Sequence, residues 1–150
     1  MGYGKNTGSY CSPFEKMHEY SAKASHVVEF EGKPVALPKG EHMGRECVFG
    51  WMVVDEGLCS LALLGNPSMM VFPVGKWVSL DGPHVMGGKG DFGGIWIART
   101  SAGAKRDRDY VLQNYGRLVR VFLAAASTNI LWADDDRVKT DGVCLLKEML

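Results

Sequence analysis

The stretch that most constrains this chain runs from residue 86 to residue 122. It opens on Met86-Gly-Gly-Lys-Gly-Asp-Phe-Gly-Gly94, passes through Ile95-Trp-Ile-Ala98 into Arg99–Gly116, and closes on Arg117-Leu-Val-Arg-Val-Phe122. Several local signals agree along it. The apolar residues at 95–98 read as a strand, and the alternation of basic and apolar residues at 117–122 reads as another. Between them, Thr100 or Ser101 suits an N-cap and Gly116 suits a left-handed stop, which predicts a helix over Ser101–Tyr115. A strand–helix–strand unit of this kind has to be buried against a sheet.

The same stretch holds a literal G-x-G-x-x-G at Gly88, Gly90 and Gly93. A dinucleotide fingerprint needs its glycines between a strand and a helix, so that the helix N-terminus faces the pyrophosphate. Here the glycines run into a strand. Kinase glycines do lie between strands. However, the strand lysine, catalytic aspartate and metal-binding aspartate that a kinase needs are absent from the 55 residues after Ile95. The loop therefore reads as a surface lead-in. The first turn of the helix is the better anion candidate, because free amides and the helix dipole attract phosphate or carboxylate. The candidate anion or nucleotide site is Gly88, Gly90, Arg99, Thr100, Ser101 and Lys105. The competing reading is a capped surface helix with Lys105 paired to Asp109 at i,i+4.

The rest of the chain has the punctuation of a small α+β domain. Residues 1–10 are rich in Gly, Ser and Asn and read as a flexible segment; residues 11–150 read as one domain. Ser12-Pro13-Phe14-Glu15 is a helix start with a capping box, predicting a first helix from Pro13 to Ala24. Residues 26–37 predict a hairpin turning at Gly32-Lys33, with Pro34 keeping its second arm at an edge and Pro38–Gly40 ending it. Glu46–Val54 is β-rich and interrupted by Gly50. Leu58–Leu64 is a short apolar run, and Met69–Leu80 reads as two short strands bent at Pro73–Gly75. Ile130-Leu-Trp132 and Val143–Met149 are candidate last strands; the hairpin-type turn Asp141-Gly142 favours strand for the tail, whose residues would also suit a helical turn or two. The predicted fold is α+β: a single antiparallel-rich or mixed sheet of six to eight short strands with two helices.

Composition bounds the function. Apolar content of 46% over 150 residues is enough for a core without staples. The net charge is zero, which argues against nucleic-acid binding driven by a basic excess. The basic run Lys105, Arg106, Arg108, Arg117 and Arg120 is interrupted by Asp107 and Asp109. No apolar run is long enough to span a membrane, and Met1–Thr7 lacks the apolar region of a signal peptide. The four cysteines (Cys11, Cys47, Cys59 and Cys144) have no zinc spacing and read as reduced, mostly buried thiols in a cytoplasmic protein. Asp134-Asp135-Asp136 lacks the spacing of a calcium loop and reads as a solvated turn. No metal, no cofactor and no catalytic residue is assigned.

Residues 49–149 resemble small uncharacterised proteins of phage and fungal genomes. The resemblance rests on Phe49-Gly-Trp-Met-Val-Val54, Val74-Gly-Lys-Trp-Val78, Gly94-Ile-Trp-Ile-Ala98, Arg117-Leu-Val-Arg-Val121 and Asp136-Arg-Val-Lys-Thr-Asp-Gly-Val143. It implies an α+β fold and no known activity. The Gly94–Ala98 strand with its helix is also distantly similar to ADP-ribosyltransferase-like folds. His42, Tyr110 and Glu148 are of the residue types such enzymes use, none of them within a matching motif.

Four Trp and eight Met exceed what a small sheet needs and are residue types favoured at protein interfaces. The expected function is a small soluble protein-interaction module without catalytic activity. A phage-type accessory protein that inhibits a host defence enzyme by binding it is one version, implied by the resemblance. The alternative is a nucleotide-binding or ADP-ribosyltransferase-like protein using the 88–105 loop and helix N-terminus. A protein partner is expected and a membrane is not; homo-oligomerisation is left open.

Overall fold

The structure, a computed structural model, describes residues 25–61, 70–90 and 93–149. The expected flexible segment 1–10 and the expected helix 13–24 lie outside the described residues. The elements in chain order are β1 (Ser25–Phe30), β2 (Lys33–His42), β3 (Arg45–Asp55), β4 (Trp77–Ser79), a short 3-10 turn (Gly82–His84), β5 (Ile95–Ala98), α1 (Ser101–Tyr115), β6 (Val119–Ser127), β7 (Ile130–Ala133), β8 (Arg137–Thr140) and β9 (Gly142–Met149).

This corrects the expected fold class. The chain is mostly β, with nine strands in one antiparallel sheet and a single α-helix among the described residues, not an α+β fold with two helices. The strands run on where the sequence suggested breaks. Gly50 lies in the middle of β3 and does not interrupt it. A Cβ there would stand 2.8 Å from the carbonyl oxygen of Ala98 and from Ile97 Cδ1, so glycine lets β5 approach β3. Likewise, Pro38–Gly40 does not end β2. At that point β2 leaves β1, which it pairs over residues 33–38, and pairs β3 over residues 39–42. The hairpin turn falls at Glu31-Gly32, one residue earlier than expected. Both residues have positive φ, and the β2–β3 turn at Met43-Gly44 repeats this, as tight two-residue hairpins require.

The sheet order is β4-β9-β6-β3-β5-β8-β7, and hairpin β1–β2 joins β3 on the same edge as β5. β1 packs against β7, so the two flanks curl toward each other. The central strands β3, β6 and β9 are buried on both faces. One face holds Val48, Met52, Val54, Phe122, Ala124, Val143 and Leu145 against Val35, Leu37 and Phe72. The other holds Phe49, Trp51, Val121, Leu123 and Ala125, with Ala104 of α1 packed onto it. The helix buries only Gly103, Ala104 and Val111, spaced to form one stripe. Its ends are as expected: Thr100 Oγ1 accepts the Gly103 N–H at 3.0 Å, and Gly116 takes the left-handed stop.

Candidate functional site

β3 is paired to β6 along most of its length, from Cys47 to Asp55. Its other edge is divided between two strands. β2 takes the start, and β5 pairs only at Trp51↔Ala98. β5 itself pairs fully with β8 on its far side. Beyond Trp51, β3 and β5 diverge, and a cleft of about 360 Å³ opens between them.

Side chains from both faces of the sheet line the cleft. Trp51, Val53, Trp96 and Val111 stand on the helix side; Met52, Ile95, Ile97 and Phe72 stand on the other. Its wall is held by an Asx turn at the end of β3. Asp55 Oδ1 accepts from the Gly57 and Cys59 amides at 2.8 and 2.9 Å, which directs the chain back to bridge Ser60 to Val54. Ser60 Oγ in turn accepts the Met70 N–H at 2.8 Å.

The mouth carries the polar groups. Asp107 and Tyr110 come from α1, His84 from the 3-10 turn and Arg137 from β8. The Arg137 guanidinium lies 4.2 Å from the centre of the Trp96 ring, within cation–π range. Trp96 meets Trp132 edge-on at 6.0 Å, and its own indole N–H is buried with no acceptor. The Asp107 carboxyl is pushed above the ordinary carboxylate value. Displaced water is the main cause; Arg137 and then Arg106 work against it. Asp107 and Arg137 nevertheless make no side-chain hydrogen bond or ion pair among the described residues.

The residues expected to bind an anion serve three separate places. Gly88 and Gly90 turn their carbonyl oxygens to the buried ammonium of Lys139, at 3.1 and 2.8 Å. The Gly88 amide bonds Leu131 O. Arg99 donates to Asp134 O at 3.1 Å and to Ala36 O at 2.9 Å, tying β2 to the β7–β8 turn. Thr100 caps α1, Ser101 is its first residue and Lys105 is exposed. Asp109 pairs with Arg108 at 3.3 Å, not with Lys105. Asp134 Oδ1 accepts the Asp136 and Arg137 amides, the solvated turn expected of the acidic run. Of the enzyme-like trio, Tyr110 is at the cleft, His42 packs near Trp77 at 6.4 Å, and Glu148 is bonded to Arg120 at 2.7 Å.

Sequence reading missed Asp107, Arg137, Trp51 and Trp96 as one group. Part of the signal was present. Asp107, Tyr110 and Val111 fall at i, i+3, i+4, which puts the acid on the edge of the buried stripe. The pairing that brings Arg137 and Trp96 together is long-range and leaves no local trace. No protein-family model, no curated protein and no solved structure matches the chain. No helix among the described residues is long and apolar enough to cross a membrane.

Proposed function

We propose that this protein is a protein-interaction module that acts by binding, and that the cleft between β3 and β5 receives an apolar side chain or short segment of its partner. The observation that carries this is the divergence of β3 and β5 after Trp51↔Ala98, which leaves an apolar cleft with two tryptophans in its wall. Concave, mostly apolar sites with a few convergent polar groups are the common form of a binding pocket. The cleft also lies beside exposed apolar surface: Tyr110 is 54% exposed and Met86 50%. Aromatic, Met and Arg side chains of this kind are the residues that anchor protein interfaces. Inhibition of a host defence enzyme would be one use of such a module, supported by the resemblance alone.

A random peptide library tests the reading. Peptides selected on the protein should bind it and lose binding to Val53→Phe, in which the added ring fills the cleft. Selected peptides that bind both proteins equally would place recognition elsewhere.

A further inference from the structure

The chemistry at the cleft mouth narrows what can enter, given the reading that the cleft is a binding site. Two opposite charges flank the opening. The Arg137 guanidinium lies over the Trp96 ring, 4.2 Å from its centre. Asp107 faces it from α1 and interacts with it through space, yet the two do not meet within ion-pair distance. Each therefore has hydrogen-bonding capacity left. Neither simple ion suits both. A carboxylate or phosphate drawn to Arg137 is repelled by Asp107. An ammonium drawn to Asp107 is repelled by Arg137. A neutral group that carries a donor and an acceptor side by side satisfies both at once, because the carboxylate only accepts and the guanidinium only donates. Bonds to charged partners are also the stronger kind.

We propose that the cleft recognises a carboxamide: its apolar stem enters between Trp51 and Trp96, its N–H donates to Asp107, and its carbonyl accepts from Arg137. On a protein partner this is an Asn or Gln side chain or an exposed main-chain amide.

Three probes with the same branched stem separate the possibilities: isocaproamide, isocaproate and isohexylammonium. Their affinities are read from the indole N–H signals of Trp51 and Trp96 in an NMR titration. The amide should bind roughly ten-fold more tightly than either ion, the size of one hydrogen bond to a charged group. Asp107→Asn should relieve the repulsion of isocaproate and Arg137→Met that of isohexylammonium, so each variant should lose the amide's preference over that ion without abolishing stem binding. Tighter binding of either ion, an amide preference that survives both substitutions, or no shift with any probe would overturn the proposal. The broader reading fails separately, if filling the cleft with Val53→Phe leaves peptide binding unchanged.

Discussion

Lys139 is 1% exposed, and an ammonium is tolerated at that depth only when its donors are answered. Gly88 and Gly90 answer them, and Gly94 gives the side chain its path, since a Cβ at that position would collide with Lys139 carbons. Lys139→Met keeps the volume but leaves both carbonyls without the ammonium. It should cost about 1–3 kcal/mol in urea denaturation, the penalty of an unanswered buried polar group. An unchanged midpoint would contradict this. At Cys47, burial first and the neighbouring Cys144 second push the thiol up to about 12. It should resist alkylation in the folded protein at mildly alkaline pH while the part-exposed Cys59 is labelled, as mass spectrometry would read. Cys47 and Cys144 sit on β3 and β9, which flank β6, so they are too far apart to bridge.

Two carboxyls give opposite responses to acid. Arg120 holds Glu148 below its ordinary value of 4.5 through a side-chain hydrogen bond, with burial opposing. The stability it adds is complete above that value and is lost as pH falls through the lower folded one. Asp107 is raised, so the folded state favours its protonated form and gains stability as pH falls through the folded value. Chemical denaturation across the acid range should show E148Q losing stability at neutral pH and D107N gaining it. The reverse signs would refute the assignments.

At the scale of elements, α1 was legible because its signals are local. Thr100 and Gly116 each act within a turn of the backbone, and the expected span matches the observed one. Thr100→Ala removes the hydroxyl that accepts the Gly103 amide and should cost about 1 kcal/mol by denaturant midpoint. Most strands were legible in place but not in extent; β8 was not expected, and of the two strands expected over 69–80 only β4 forms, Val71 making a single bridge to Cys59. Gly50 and Pro38–Gly40 look like stops, yet in the sheet they mark a close crossing and a change of partner. Gly50→Ala tests this. Its methyl would press on the Ala98 carbonyl, at a cost of about 1–3 kcal/mol for overpacking, and should loosen the β3–β5 junction. A neutral result would return Gly50 to the role of a simple break.

At the scale of the whole molecule, the candidate site comes from topology. The cleft exists because β2 and β5 share one edge of β3 and meet it at different heights. No short motif encodes that arrangement. The glycine-rich loop was conspicuous in sequence because its residues are contiguous, and in the fold it serves to close over Lys139. Asp107, Trp51, Trp96 and Arg137 were inconspicuous because they lie on four different elements, brought together only by long-range pairing.

Entry of a ligand between β3 and β5 would be seen in a crystal structure of the protein with a library-selected peptide. A peptide side chain should lie between Trp51 and Trp96, with a polar group between Asp107 and Arg137. A peptide seated elsewhere, such as along the edge of β4, with the cleft unchanged, would contradict it.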